Sequence, residues 1–306
     1  MGSKVVSRLA AIVLGAAAGG GFPQWNCRCA PCRLAWAGDP RVKPRTQASL
    51  AVSADGAHWI LLNASPDLRA QIQANPRLHP RAGARGSPIA AVVLTGAEID
   101  QTAGLLSLRE RSPFALYGTA ATLAAVADNP MFGALAPDVV TRRAVVPGQR
   151  FELPGGAAAE LFIVPGKVPL YLEGDDPDIA GETSANVGVE IVAGTARLAY
   201  VPGAAAITPA MRERFDRADA ILFDGTLFSD DELIATGTGQ KTGRRMGHMP
   251  LDGADGSLAA LAGLRARRIV VHINNTNPIL IDGSPERAHV TAAGWDVAED
   301  GMEVVL

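Results

Sequence analysis

An apolar run that ends in a polar turn and leads directly into a helical pattern constrains this fold more than any other feature. Residues 91–94 are apolar, a Thr-Gly turn follows, and the next residues predict a helix over 100–109. In α/β proteins a strand that turns straight into a helix places its loop side chains at the carboxyl edge of the sheet, where ligands bind. Here those side chains are Glu98, Asp100 and Gln101, an oxygen-rich set that suits a divalent metal. The alternative is structural: Asp100 caps the helix and Glu98 is solvated.

Two later strands end in the same way. The apolar run 220–223 ends at Asp224, and the predicted strand 268–273 carries His272 near its carboxyl end. His248 lies in a glycine-rich turn between them, and the chain has only 5 histidines. Carboxylates and imidazoles together predict a site for a borderline divalent metal, although a satisfied core histidine or a loop histidine remains an alternative for each imidazole. The candidate ligands are Glu98, Asp100, Gln101, Asp224, His248 and His272.

The only 3 cysteines of the chain lie within six residues of one another. Cys27, Cys29 and Cys32 form a Cys-x-Cys-x-x-Cys motif, and thiolates this close together predict a structural zinc site. The fourth ligand must then be a histidine, a carboxylate or water from elsewhere. A redox dithiol is the weaker alternative, because no thioredoxin-like βαβ pattern surrounds the motif.

The N-terminal segment has two interpretations. Lys4 and Arg8 precede an apolar stretch, residues 9–18, which resembles a secretory signal. We favour a buried first strand over 10–14 that enters a glycine loop, because an odd number of cysteines cannot all pair in an oxidising compartment. We therefore expect a cytoplasmic protein. No run approaches the roughly 18 apolar residues of a membrane span.

Further patterns predict the remaining elements. Two strands over 47–53 and 58–63 flank an Asp-Gly turn and form a hairpin. A helix is predicted over 257–267, and the residues from 33 to 46 read as a surface loop. Residues 167–186 show no periodicity and form a long loop, which is typical of a lid over a site.

The charge of the chain narrows the class of partner. A net charge of −3 offers no basic surface for nucleic acid, so small molecules or other proteins are the expected partners. Several arginines could bind the carboxylates of an acidic ligand, although solvated surface arginine is the usual case. They are Arg45, Arg69, Arg109, Arg244 and Arg245, of which Arg109 and Arg245 are the ones assigned to ligand binding.

Longer motifs resemble a known superfamily. A strand followed by Thr-x-x-x-x-Asp-x-x-x-Gly-Leu, a later strand ending in Asp and a last strand ending in His resemble the metallo-β-lactamase superfamily. Within it, the chain is similar to the PqqB family of pyrroloquinoline quinone (PQQ) biosynthesis. The motifs that carry this resemblance are residues 19–32, 63–67, 104–110, 224–227, 246–248 and 272–278.

The resemblance implies one domain over 1–306 with a four-layer αββα sandwich and a metal site at one edge. It implies an iron-dependent hydroxylase that uses O2 on the tyrosine ring of a cross-linked Glu–Tyr precursor. Asp100, Asp224 and His272 would be catalytic. Asp100, His248 and His272 would hold iron(II) or another divalent metal, with Asp224 as a further ligand or an orienting group.

The chain departs from the superfamily motif His-x-His-x-Asp-His. Of its metal-binding positions only Asp100 remains, and Gln101 stands where a histidine is usual. An amide oxygen is a weak ligand, so two alternatives stay open. The protein could bind and transport PQQ or its precursor without catalysis, or it could be a metal-dependent hydrolase. Expected partners are the precursor or PQQ, other PQQ biosynthesis proteins and a second copy in a homodimer, with no membrane.

Overall fold

The computed structural model describes residues 8–174 and 178–306, and its strands form two sheets of seven strands each. The strands are β1 (Ala10–Gly15), β2 (Ser49–Ser53), β3 (Trp59–Leu62), β4 (Ile89–Val93), β5 (Phe114–Gly118), β6 (Val140–Ala144), β7 (Arg150–Glu152), β8 (Ala158–Ile163), β9 (Val187–Ala193), β10 (Ala196–Val201), β11 (Ala220–Asp224), β12 (Arg267–Val271), β13 (Trp295–Val297) and β14 (Glu303–Val305). The first sheet has the order β14-β1-β2-β3-β4-β5-β6, and the second has the order β13-β12-β11-β10-β9-β8-β7.

Each sheet changes from antiparallel to parallel pairing at its middle. In the first sheet β14, β1, β2 and β3 pair antiparallel, whereas β3 to β6 pair parallel. In the second sheet β7 to β10 pair antiparallel, whereas β10 to β13 pair parallel. The parallel half of each sheet therefore presents several carboxyl ends at one edge, and the loops after β4, β11 and β12 all start there.

Apolar side chains form three core clusters, one between the two sheets and one on the outer face of each sheet. One cluster joins the facing surfaces of the two sheets, with Val13 and Leu62 from the first and Leu198 and Leu222 from the second. A second cluster covers the outer face of the second sheet, and a third covers the outer face of the first. Helices lie on both outer faces, so the predicted αββα sandwich is confirmed.

The helices are short. They are α1 (Ala30–Trp36), α2 (Leu68–Ala74), α3 (Ile99–Thr102), α4 (Ala120–Ala127), α5 (Pro209–Asp216), α6 (Glu232–Ala235), α7 (Ser257–Ala260) and α8 (Pro285–Ala292). 3₁₀ turns cover Pro76–Leu78, Ala103–Leu108, Pro130–Ala134, Pro154–Gly156, Leu170–Leu172, Arg244–Met246 and Pro278–Leu280. Within the described ranges, no helix is both long and apolar enough to cross a membrane.

Several predicted elements are confirmed and two helices are corrected. The strand over 10–14 is β1, and the predicted hairpin is the antiparallel pair of β2 and β3. The helix predicted over 100–109 is instead α3 followed by a 3₁₀ segment, in which the Gly104 N–H donates to the Ala64 carbonyl at 2.8 Å and a side chain at Gly104 would collide with the Ser65 carbonyl. The helix predicted over 257–267 ends at Ala260, and the surface loop predicted over 33–46 begins inside α1.

Candidate active site

The carboxyl ends of β4, β11 and β12 bring four of the predicted site residues together. Asp100 lies in the first turn of α3, Asp224 ends β11, and His272 follows β12 directly. His248 comes from the loop after α6, and its ring stacks on that of His272 with centroids 5.3 Å apart. His272 has a φ of 54°, a left-handed conformation that a non-glycine residue adopts only where its surroundings enforce it.

Asp100 and His272 form a buried pair. The Oδ2 atom of Asp100 lies 3.0 Å from Nε2 of His272. Burial acts to raise the pKa of Asp100, but the hydrogen bond and charge of His272 and the charge of His248 outweigh it and lower that pKa. Burial acts in the opposite sense on His272, whose pKa is nevertheless raised by Asp100 and then by Asp224. The ionised pair is the state that this environment favours.

Asp224 is fully buried, and groups of the chain itself occupy both of its oxygens. Oδ2 accepts hydrogen bonds from the Ala204 N–H at 3.0 Å and from His248 Nδ1 at 2.7 Å. Oδ1 accepts from the Thr226 N–H at 3.0 Å and from the Thr226 hydroxyl at 2.6 Å. Burial acts to raise the pKa of Asp224, but His248, His272 and Thr226 together lower it. Asp224 is thus an anchor for the cluster, and its carboxylate also lies within 4.8 Å of ligand atoms of His248 and His272, so that these three side chains could hold a metal ion.

The helix cap of α3 is formed by Glu98 and Gln101, which were predicted to bind a metal. They form a capping box on α3, in which the Glu98 N–H donates to Gln101 Oε1 at 3.2 Å. The cap is therefore Glu98, and the alternative in which Asp100 caps the helix is wrong. A side chain at Gly96 would meet Gln101 Oε1 at 2.5 Å, so glycine there makes room for the capping amide. The oxygen that would have to bind a metal is already engaged.

A cavity of about 500 Å³ opens beside this cluster. Asp100, His248 and His272 line it, whereas Asp224 does not. The lining residues with polar side chains are Gln47, Glu98, Asp100, Gln101, Lys167, Asn186, Thr226, Lys241, His248, His272 and Asn274. Its size is within the range of ligand pockets, about 300–1,000 Å³.

The predicted lid, as far as the described residues show it, lies against the cavity mouth; its residues 175–177 are outside the described part. The Leu170 N–H donates to Glu98 Oε1 at 3.2 Å, and the Tyr171 hydroxyl donates to the Ala97 carbonyl at 2.7 Å. Lys167 pairs with Glu173 within the loop and lies 3.6 Å from Glu98 Oε1. These contacts hold the loop to the turn that carries Asp100.

The structure corrects the assignment of Arg109 and Arg245 to ligand binding, because neither lines the cavity. Arg109 donates to the Leu106 carbonyl at 2.7 Å and lines a separate surface pocket, since the 3₁₀ segment turns it away from the site. Arg245 lies against the lid carboxylate of Glu173, with Nη1 and Oε2 3.9 Å apart. The other three arginines also lie elsewhere: Arg45 is buried against the Ala298 carbonyl, Arg69 is exposed and Arg244 pairs with Asp255.

Sequence patterns missed three residues that the fold places at the site. Lys167 and Lys241, which lie far apart in the chain, supply the positive charges of the cavity. Thr226 links Asp224 to both imidazoles through one hydroxyl. Its position two residues after a strand-ending carboxylate, within the motif at 224–227, is the signal in the sequence that could have indicated it.

The three cysteines form a second cluster, whose ligand atoms all lie within 4.8 Å of one another. Sulfur atoms bound to one zinc ion at about 2.3 Å have a similar spacing, so the three thiols fit that metal. Burial raises the pKa of the Cys29 thiol to about 12, and a cation beside the thiol would favour its ionised form. No imidazole or carboxylate joins the group in the part of the chain that the structure describes, and Cys29 Sγ lies 3.3 Å from the Asn275 carbonyl oxygen.

Comparison with known proteins agrees with this architecture. Residues 58–273 match the model of the beta-lactamase superfamily domain. The coenzyme PQQ synthesis protein B of Methylorubrum populi is 56% identical over 296 residues, which cover 96% of this chain and 99% of that protein. That of Rhizobium meliloti is 54% identical over 301 residues, covering 98% and 99%. The chain belongs to the coenzyme PQQ synthesis protein B (PqqB) family.

Solved structures place the fold in the same family. The crystal structure of Zn²⁺-bound PqqB from Methylobacterium extorquens matches with a TM-score of 0.96 at 56% identity, over 97% of this chain and 100% of that one. A diphosphatase of the PhnP family matches with a TM-score of 0.68 at 22% identity, over 98% and 97% of the two chains, and shows the fold alone. The metallo-β-lactamase fold and a place in PQQ synthesis are thus shown for this PqqB family member.

Proposed function

We propose that this PqqB family member hydroxylates the tyrosine ring of a cross-linked Glu–Tyr precursor of PQQ with iron(II), O2 and two electrons from an external reductant, the second oxygen atom of O2 leaving as water. The observation that carries the proposal is the lining of the cavity, to which Asp100, His248 and His272 all contribute, with Asp100 in contact with His272. Two imidazoles and one carboxylate on one face, with further positions open, are the ligand set of non-haem iron oxygenases.

The donor atoms fit a metal. Two adjacent ligands that each lie about 2.1 Å from one ion are about 3 Å apart, and Asp100 Oδ2 and His272 Nε2 are separated by 3.0 Å. Asp100 accepts no other side-chain hydrogen bond among the described residues. Asp224 accepts four hydrogen bonds from the chain, and in this proposal it orients His248 rather than binding the ion. When bound, iron(II) supplies the redox chemistry that O2 needs to react with a phenol.

The other residues of the cavity hold and shield the substrate. Lys167 and Lys241 offer positive charge to the carboxylates that a Glu–Tyr compound carries. The lid contacts of Leu170 and Tyr171 close the side of the cavity next to Asp100 and limit the entry of water. A dry, shaped cavity and fixed ligand orientation are the protein's contribution to such chemistry.

The experiment is an anaerobic reconstitution with iron(II), followed by O2, a chemical reductant and a Glu–Tyr cross-linked substrate, with detection of product mass. We expect the parent protein to add oxygen to the substrate, and Asp100→Asn to lose at least about 100-fold in rate, because the amide loses the charge and donor strength of the carboxylate. Asp138→Asn is the matched control, since Asp138 forms an exposed pair with Arg111 and neither residue lines the cavity. Binding of the substrate without change of mass would contradict the proposal and favour the carrier role.

We also propose that Cys27, Cys29 and Cys32 hold a structural zinc ion. The thiol spacing and the burial of Cys29 support this proposal. Metal analysis of the protein expressed in zinc-containing medium should find about one zinc per chain that Cys29→Ser loses. Retention of that zinc by Cys29→Ser would contradict the assignment.

A further inference from the structure

The ammonium group of Lys167 lies between two carboxylates at the mouth of the cavity. It forms a hydrogen-bonded ion pair with Glu173 of the lid, and its Nζ atom is 3.6 Å from Glu98 Oε1. We propose that Glu173 is an internal competitor, which occupies the place at Lys167 that a carboxylate of the substrate takes and which moves to Arg245 when the substrate binds. This inference rests on the proposed function, because it names the part of that site which recognises the negative charge of the substrate.

Lys167 is placed to meet a carboxylate inside the cavity. Only 13% of its side chain is exposed, and it lines the cavity together with Gly247 and His248. A Cβ atom at Gly247 would lie 3.2 Å from Lys167 Cγ, so the glycine lets the lysine stem pack closely against the residue next to His248. A substrate carboxylate on Lys167 would therefore lie on the same side of the cavity as one of the proposed metal ligands.

The carboxylate of Glu173 is held by positive charge, as a bound acidic ligand would be. Only 9% of its side chain is exposed. The hydrogen bond from Lys167 lowers the pKa of Glu173 against the opposing effect of burial, and the charges of Lys241 and Arg245 act in the same direction as Lys167. Three cations therefore act on this one carboxylate, and two of them, Lys167 and Lys241, line the cavity.

Arg245 offers Glu173 a second place to bind. Its Nη1 atom is buried and has no hydrogen-bond partner within the described residues. Nη1 lies 3.9 Å from Glu173 Oε2, so a shift of about 1 Å would bring the two atoms to hydrogen-bond distance. A buried donor without an acceptor is unfavourable, and the new bond would remove this defect. The move to Arg245 would thus offset part of the free energy that is lost when Glu173 leaves Lys167.

The exchange makes the lid selective for acidic ligands. A carboxylate that approached Lys167 with Glu173 still in place would meet the negative charges of Glu98 and Glu173, and like charges brought together at a binding site are strongly unfavourable. With Glu173 on Arg245, each of the two cations has one carboxylate partner. A neutral ligand cannot replace Glu173 at Lys167 in this way, since an ion pair would be lost and none would form.

The test measures binding of the Glu–Tyr cross-linked compound by isothermal titration calorimetry under anaerobic conditions. The cysteine cluster is first filled with zinc and the cavity with Mn²⁺, which prefers oxygen and nitrogen ligands to thiolates. Electron paramagnetic resonance confirms the Mn²⁺ loading of each protein. The variant is Glu173→Gln, which removes the charge and retains an acceptor for Lys167. The matched control is Glu182→Gln, which removes an exposed charge elsewhere in the lid.

We expect Glu173→Gln to bind the compound about tenfold more tightly than the parent, because the competing charge is gone. Glu182→Gln should change the affinity less than about twofold, since exposed charges are screened. Lys167→Met should weaken binding, and adding Glu173→Gln to it should restore nothing. The same compound with its carboxylates converted to amides should bind equally to the parent and to Glu173→Gln.

Arg245 gives an independent check that does not need Glu173→Gln to fold alone. Arg245→Gln should weaken binding of the compound about threefold, because Glu173 loses its second place, and should have no effect when Glu173→Gln is also present. An affinity of Glu173→Gln equal to or below that of the parent would overturn the inference and leave Glu173 as a structural contact of the lid. All of these measurements are made without O2, so a protein that shows these affinities but fails to hydroxylate refutes only the proposed function.

Discussion

The two sheets contribute to the cavity in unequal ways. The first sheet supplies the turn after β4, where Asp100 alone faces the histidines and the neighbouring Glu98 and Gln101 cap a helix. The second sheet supplies both imidazoles, which Asp224 and Thr226 fix through hydrogen bonds. The site is therefore built mainly by the second sheet, whose two imidazoles are held by hydrogen bonds, and is completed by one carboxylate from the first sheet.

Removing the anchor of the second sheet should have the largest effect. Asp224→Ala leaves two buried N–H groups and the His248 ring without their acceptor, and breaking such a buried charged network costs about 3–5 kcal/mol. We expect the free energy of unfolding, measured in urea, to fall by this amount and Mn²⁺ binding to be lost. Asp138→Ala, which removes an exposed pair, should change stability by less than about 1 kcal/mol. A comparable loss in both variants would show that Asp224 has no special structural role.

The next prediction concerns Glu232, which holds the loop after β12. Its Oε1 accepts a hydrogen bond at 2.5 Å from the hydroxyl of Thr276, a residue of that loop. Burial raises its pKa from 4.5 to about 7. The folded protein therefore favours the protonated carboxyl of Glu232. This preference contributes to the free energy of unfolding below pH 4.5, and the contribution is lost as the pH rises through about 7. At 1.36 kcal/mol per pKa unit the loss is about 3 kcal/mol.

The matched variant for this prediction is Glu232→Gln, which keeps an acceptor for the Phe228 N–H and cannot ionise. The difference in unfolding free energy between variant and parent should grow in favour of the variant from pH 4.5 to 7. A difference that stays constant over this range would mean that the folded protein does not disfavour ionised Glu232.

Gln101→Ala tests whether the first sheet supplies a cap or a ligand at this position. We expect a loss of about 1 kcal/mol of stability, the usual effect of removing a helix cap, because the Glu98 N–H loses its acceptor. Mn²⁺ affinity should stay close to that of the parent. A tenfold loss of affinity at unchanged stability would make Gln101 a metal ligand after all.

Substitution of Lys241 should have the smallest effect on ligand binding, because this side chain is exposed at the cavity wall. Lys241→Met is expected to weaken binding of an acidic substrate about two- to fivefold at low salt and less at high salt, since exposed charges are screened. Lys43→Met, which removes an exposed pair with Glu299, is the control and should leave binding unchanged. Equal effects of the two substitutions would remove Lys241 from the binding site.

Much of this arrangement is visible in the sequence, because strand ends are local features. Asp224 and His272 follow apolar runs, and the sheet then brings their ends together. The role of Gln101 was not predictable from motif position, since a capping amide and a ligating amide occupy the same place in the sequence. Lys167 and Lys241 approach the cavity only through tertiary folding, and neither is part of a periodic pattern.

The most direct test of the division between the sheets is anomalous diffraction from crystals of this protein loaded with iron(II) under anaerobic conditions. We predict one iron peak in the cavity, bonded to Asp100 Oδ2 and His272 Nε2, with Gln101 Oε1 still on the Glu98 N–H and Asp224 still on Thr226. An iron ion bonded to Asp224 or to Gln101 would contradict this account of the site.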